Sequence, residues 1–274
     1  MKLKKRLEES FSASELECLV GAYDMVGDIA IVIIPRQLES REHLIAEAIL
    51  KSNRKIKVVA KRAGNYGGEF RTIPLQVLAG ENRKETEVTE SGIRLLVNPE
   101  TVYYSVRSGN ERRRLASLVE PNESVLVLFS GIAPYPLIIS KHSHAKSVVG
   151  IEKNPQAHAY GIENLCRNKK QKNIRLYLGD VKEVLPSLVT AFDRVIMPLP
   201  TRGEEFLPCV LQVLKPNGSL HFYDMQRPEL FGQSAEKIVS ACAVENRTVL
   251  SSSIVKCGHC APRIYRICID AKIS

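Results

Sequence analysis

The chain has 274 residues, 44% of them hydrophobic and 25% charged, with a formal net charge of +9. That balance belongs to an ordinary globular protein, long enough for one large domain or two unequal ones, and it excludes a disordered or fibrous chain. No apolar run is long enough for a bilayer, and no apolar stretch follows the basic start "MKLKKRLEESFSASE", so a cytoplasmic protein without membrane contact is expected.

Taken in chain order, the first part reads as short strands over residues 28–34, 55–61, 70–80 and 84–98. Thr and Val alternate with charges in the last two, as in antiparallel strands with one wet face. Apolar residues three and four apart predict one helix over 38–52. Further along the pattern changes. "SVLVLFSGIAP" is a continuous apolar strand ending in Gly, "SVVGIEKNP" ends in an acid, and "NIRLYLGD" and "FDRVIMPLP" follow. Helical stretches such as residues 155–169 lie between them. Strand alternating with helix predicts a parallel sheet covered on both faces. Residues 218–225 and 264–274 supply two more strands. The expected fold class is α/β: a doubly wound, Rossmann-like domain over 116–274, preceded by a smaller, β-rich α+β domain over 1–115. A helix beginning near that boundary joins them.

Excess Lys and Arg points to a polyanion, most commonly nucleic acid. The charge is clustered: residues 53–62 hold five basic side chains and no acid, and residues 167–175 hold five more. The seven cysteines are odd in number and scattered, which argues against a disulfide framework. Cys257 and Cys260 bracket His259, but no second pair completes four zinc ligands, so no metal is expected and "CGHC" reads as the start of a strand.

In a doubly wound sheet, ligands sit beyond the carboxyl ends of the strands. The first end gives Phe129 to Tyr135, where Gly131 permits a tight turn against a ligand. The second gives Glu152, whose acceptor-only carboxylate suits both hydroxyls of a ribose. The third gives Asp180, an acceptor for an adenine amino group. The fourth gives Met197-Pro198-Leu199-Pro200, where substrate meets cofactor, with Pro198 on the cofactor side and Pro200 on the substrate side. A pyrophosphate cradle needs Gly-x-Gly-x-x-Gly, and here Ala133 stands where a second Gly would. The ordered set fits an S-adenosylmethionine methyltransferase better than a dinucleotide oxidoreductase. Each residue also has a plainer reading, since Gly and Asp are common at strand ends. Glu111 taken alone reads as a helix-surface ion pair with Arg107 or Arg114.

The stretches "GEFR", "VLAGENRKET", "VYYS", "NERRR", "GIEKNPQAHAYGIENLCRNK", "GDVKEV" and "RVIMPLP" carry a resemblance. Over nearly its whole length the chain resembles the archaeal and eukaryotic tRNA (guanine-37 N1) methyltransferase family and its relative, the wybutosine aminocarboxypropyltransferase. The resemblance implies S-adenosylmethionine as cofactor, the anticodon stem-loop of tRNA as partner, and a small domain that contacts tRNA and completes the active site. It implies Glu111 as general base and Arg71 as the contact to guanine O6. It also implies cofactor contacts at Phe129, Glu152 and Asp180, and substrate contacts at Tyr103, Arg107 and Arg112. A monomer is expected. The chain departs from the family at Val127, where an acid is usual, at Pro198, where Asn is usual, and at "GIAPY", where "GVGPF" is usual. Members with Pro at the fourth strand end include a subgroup linked to several steps of wyosine formation. The alternatives are aminocarboxypropyl transfer from the same cofactor and a non-catalytic tRNA-binding module.

Overall fold

The computed structural model describes residues 3–188 and 190–274. They form two compact units that divide between Val106 and Arg107. The division falls nine residues before the expected 115/116. The reason lies in the helix Gly109–Leu118, which buries Glu111, Arg112, Leu115 and Ala116 and bonds to strands of the second unit. It belongs wholly to that unit.

The first unit contains α1 (Leu3–Leu7), α2 (Ala13–Cys18), β1 (Asp24–Val26), β2 (Ile29–Val32), α3 (Glu42–Leu50), β3 (Val58–Arg62), β4 (Leu75–Gly80), β5 (Thr86–Glu90) and β6 (Ile93–Val97). β1 to β4 make one sheet in sequence order, with β2 and β3 parallel and the outer pairs antiparallel. α3 makes the crossover and turns Ile45, Ala46 and Ile49 onto a core with Leu38, Ala30 and Val59. The single helix expected over 38–52 is instead a 3-10 turn, Arg36–Arg41, followed by α3. Arg41 breaks the run with φ −118° and ψ 11°. Its guanidinium is held by Glu15 at 2.9 and 3.0 Å and lies over Phe11, 4.5 Å from the ring centre. The strand expected over 70–80 starts only at Leu75. Residues 67–72 close a tight turn instead, with Arg71 at φ +52°, and Pro74 has no N–H to give a sheet. Residues 84–98 divide into the hairpin β5–β6. Ser91 and Gly92 at its tip both have positive φ, as a two-residue turn between right-twisted strands requires.

The second unit contains α4 (Gly109–Leu118), β7 (Ser124–Val127), α5 (Pro134–His142), β8 (Ser147–Glu152), α6 (Pro155–Arg167), β9 (Ile174–Leu178), α7 (Val181–Val184), β10 (Phe192–Met197), α8 (Leu207–Val213), β11 (Leu214–Gln226), α9 (Phe231–Val244), β12 (Val249–Ala261) and β13 (Ile264–Ile273). Its sheet runs β12-β13-β11-β10-β7-β8-β9. The five strands from β11 to β9 are parallel, and β13 is antiparallel to both β11 and β12. The parallel sheet read from the sequence is therefore mixed at one end, where a direct hairpin joins β12 to β13. "CGHC" lies at the far end of β12 and not at the start of a strand. Strand order reverses between β7 and β10, and the crevice beyond that point is where such sheets take ligands. Leu126, Leu128, Ile151, Val195, Phe222 and Ile269 are among the buried residues that hold the sheet to its helices. No helix among the described residues is long and apolar enough to cross a membrane.

Candidate active site

β7 delivers the chain into a loop of alternating left-handed residues. Phe129, Gly131 and Ala133 have φ of +51°, +57° and +67°. Gly adopts this conformation without strain, whereas a side chain there costs roughly 1–2 kcal/mol. Ala133 thus occupies a glycine-type position, and packing holds it there. α6 clamps the loop from below: the fully buried Asn164 donates Nδ2–H to the carbonyl of Ile132 at 3.1 Å. Phe129 meets Phe206 edge to face, with ring centres 4.9 Å apart.

β8 brings Glu152 to the same end. Its Oε2 accepts the Gly131 N–H and its Oε1 the Asn154 N–H, both at 2.7 Å. Burial pushes the carboxyl above the ordinary glutamate range, and the Asn154 and Gly131 amides oppose that shift. The Lys153 amide is a third backbone donor to this carboxylate, and of its roughly four acceptor positions about one remains for a ligand's hydroxyl. β9 adds Asp180, which caps α7 through the Lys182 N–H at 2.9 Å and pairs with Lys153 at 3.0 Å. Burial raises the Asp180 pKa, but the Lys182 amide and Lys153 outweigh it and the group lies below its usual value. The Gly179 N–H donates to the Glu152 carbonyl at 2.9 Å, so the second and third strand ends are tied together. Phe129, Gly131, Glu152 and Asp180 therefore share one end of the sheet. Their acceptor carboxylates suit a nucleoside with ribose hydroxyls and an amino group, not a pyrophosphate. At the fourth end, β10 stops at Met197, and the Leu199 N–H turns back to its carbonyl at 2.8 Å. Pro198 is half-buried and Pro200 is buried in this turn. Neither proline brings a side-chain donor or acceptor.

α4 carries Glu111, only 6% exposed. Arg114 Nε donates to its Oε2 at 2.8 Å and Nη2 to its Oε1 at 2.7 Å. Tyr223 of β11 also donates its hydroxyl to Oε1. Arg114 is one of the two plainer ion-pair partners read from the sequence. It is itself shared: Nη1 donates to Asp270 Oδ2 of β13 at 2.6 Å. Asp270 Oδ1 meets His221 Nδ1 at 2.6 Å, and His221 Nε2 meets Arg194 Nη1 at 2.6 Å. Arg194 closes the chain on Glu123 at 2.7 and 3.0 Å. Arginine is donor-only, so His221 Nε2 must accept and Nδ1 must carry the proton. Burial also pushes the His221 pKa down, against the pull of Asp270, and the ring is neutral. Arg112, 3% exposed, places its guanidinium 5.7 Å from the ring centre of Tyr135, two residues beyond the loop at Ala133. This links the Glu111 cluster to the loop of the nucleoside site. Arg107 is exposed in the 3-10 turn just before α4.

The remaining candidates lie in the first unit. Arg71 sits over Tyr103, 5.3 Å from the ring centre, and Tyr103 is 43% exposed. Tyr66 approaches Tyr103 edge-on with ring centres 6.1 Å apart, and Arg62 lies over Tyr66 at 5.6 Å. Within the basic clusters, Lys61 pairs with Glu42, Arg62 with Asp24 and Arg167 with Glu163. Arg54, Lys55, Lys57, Lys169, Lys170, Lys172 and Arg175 are exposed.

Tyr223, Asp270, His221 and Arg194 are functional candidates that the sequence motifs do not single out. A signal exists nonetheless. "SLHFYD" places polar His221 and Tyr223 two apart inside an apolar strand, hence on one face. The register then sets His221 opposite Asp270 and Tyr223 opposite Cys268. His221, Cys268 and Asp270 hold their ligand atoms within 4.8 Å of one another. Both His221 nitrogens are already hydrogen-bonded there, and Arg114 and Arg194 flank the group, an arrangement that repels a cation.

A profile of the TRM5/TYW2 methyltransferase domain matches residues 86–250, and one of the TYW2 N-terminal domain matches residues 3–83. The tRNA (guanine(37)-N(1))-methyltransferase Trm5b of Pyrococcus abyssi is 32% identical over 260 residues, 93% of this chain and 76% of that protein. The tRNA(Phe) (4-demethylwyosine(37)-C(7)) aminocarboxypropyltransferase of Methanocaldococcus jannaschii is 29% identical over 92% of this chain and 98% of its own length. The crystal structure of wild-type Trm5b from Pyrococcus abyssi superposes with a TM-score of 0.86 at 31% identity, covering 96% of this chain and 78% of that one.

Proposed function

Since the chain belongs to the TRM5/TYW2 methyltransferase family, we propose that it transfers a methyl group from S-adenosylmethionine to N1 of guanosine 37, the base 3′ of the anticodon, in tRNA. The observation that carries this reading is the buried Glu111 carboxylate, fixed by Arg114 and Tyr223 and joined through Arg112 and Tyr135 to the loop that bears Gly131.

The fit to the cofactor rests on the nucleoside-type acceptors. Glu152 accepts from the ribose hydroxyls, Asp180 takes the adenine amino group, and the loop from Phe129 to Ala133 lies against them. S-adenosylmethionine supplies an electrophilic methyl group on a sulfonium centre. Guanine N1 carries a proton at neutral pH and is a poor nucleophile until that proton leaves. Glu111 accepts it as the new bond forms. Negative charge then grows on O6, and Arg71 is assigned to stabilise it. Tyr103, Arg107 and Arg112 are assigned to hold the substrate, and Pro200 to line its place. Transfer neutralises a cation, so alignment counts for more than acid assistance.

A second reading, aminocarboxypropyl transfer from the same cofactor, is favoured by Pro198, which cannot hold guanine through a side-chain amide. Mass analysis of nucleosides from modified tRNA separates the two. One added methyl on guanosine 37 supports the first, and an added amino-acid fragment supports the second.

A further inference from the structure

Glu111 does not present two equal oxygens. Oε1 accepts from both Arg114 Nη2 and Tyr223, while Oε2 accepts from Arg114 Nε, and the Cys257 thiol lies beside the same carboxylate. Arg114 and Tyr223 together load Oε1 more heavily than Oε2, and the proton is assigned to Oε2. Charge in the hydrogen-bonded group is also uneven. Arg114 is one cation between two carboxylates, Glu111 and Asp270, and His221 is neutral. The group carries one surplus negative charge, and one proton balances it. Without Asp270, proton uptake at Glu111 would leave the guanidinium without an anion.

We propose that Asp270 and Tyr223 are positioning residues that set, in opposite directions, how readily Glu111 takes the proton from its substrate. The proposal rests on Glu111 being the general base. In the step concerned, the N1–H bond breaks and its proton goes to Glu111 Oε2. The freed electron pair on N1 bonds to the methyl carbon, and the carbon–sulfur pair returns to sulfur. Asp270 keeps Arg114 paired once Glu111 is neutral. Tyr223, through its hydrogen bond, favours the ionised form and restrains the base.

The other groups that face this cluster are Arg112 on α4, Tyr135 on α5, Cys257 on β12, and Cys268 and Arg266 on β13. Burial holds Tyr135 up at about 12 and pushes Cys257 up to about 12, and it also raises Tyr223 and Cys268. All four stay neutral across the working range.

The test is the pH dependence of the single-turnover methyl-transfer rate on a tRNA transcript, for wild type, Tyr223→Phe and Asp270→Asn. A hydrogen bond to a charged group corresponds to a shift of about one pH unit. Tyr223→Phe should move the acid limb about one unit upward. Asp270→Asn should move it downward by a similar amount and lower the plateau about tenfold, and Asp270→Glu should restore both. A purely structural role would lower the rates and leave the limb in place. Limbs that stay put, or move the same way in both variants, overturn the proposal. If Asp270→Asn does not fold, Tyr223→Phe decides alone, because an unmoved limb in that near-isosteric variant is enough to reject it. A wild-type rate in Glu111→Gln would instead reject Glu111 as the base, a distinct outcome.

Discussion

Glu111 and Arg114, three residues apart on α4, are joined by two parallel hydrogen bonds of 2.8 and 2.7 Å. An exposed pair of this spacing is worth a few tenths of a kcal/mol. This one is buried on the glutamate side, and Arg114 has a second carboxylate in Asp270. Such a pair does more than dress a helix surface.

Glu111→Gln keeps the shape and cannot take a proton. Arg114 retains Asp270, so the fold should survive. Single-turnover methyl transfer should fall by about 10²–10⁴-fold, with tRNA and cofactor affinities nearly unchanged. Rising pH should partly restore the rate as guanine N1 loses its proton unaided. Arg71→Ala should also slow the step but show little of that recovery, because it removes stabilisation at O6.

Glu152→Gln should weaken cofactor binding by roughly 1.5–3 kcal/mol, the worth of hydrogen bonds to a charged acceptor. The pH dependence follows from the raised carboxyl. The ionised form accepts the ribose hydroxyls, so affinity should be full at alkaline pH. It should fall as pH drops through a value above the ordinary glutamate range. Calorimetric titration of S-adenosylmethionine at several pH values checks this, and affinity unchanged in a folded variant would place Glu152 outside the site.

Arg194→Ala should destabilise the second unit by about 3–5 kcal/mol, because it strands the Glu123 carboxylate in a buried position. Replacing both partners by apolar residues should cost less than the single change. Urea unfolding of wild type and the two variants measures the difference.

Affinity for tRNA should fall steeply with salt if the basic clusters bind phosphates. Replacing Arg54, Lys55 and Lys57 by Gln should flatten the log–log salt slope by roughly 0.7–0.9 for each phosphate no longer neutralised. The modified base should not change. A slope equal to wild type would remove that cluster from the interface.

Much of the second unit is legible in the sequence because β7, β8 and β9 are apolar runs that lead into Gly or an acid and β10 is one that leads into a proline turn, and Phe129, Gly131, Glu152 and Asp180 follow directly from the first three ends. α5 is not, since Pro134 and Pro136 look like breakers until Pro134 is seen at the first helical position, where its missing N–H costs nothing. β12 is hidden by its serines and its largely exposed, edge-strand pattern. The network behind Glu111 is unreadable for a different reason. Glu111, Tyr223 and Asp270 are more than 40 residues apart in every pairing, and the β11–β13 register together with the packing of α4 brings them together.

Guanosine-37 methylation is tested most directly by incubating the protein with a guanosine-37 tRNA transcript and labelled S-adenosylmethionine, followed by nucleoside mass analysis. The expected product carries one labelled methyl on N1 of guanosine 37, and the label is lost in Glu111→Gln. An added aminocarboxypropyl group, or an unmodified transcript with the protein folded and cofactor bound, would contradict this assignment.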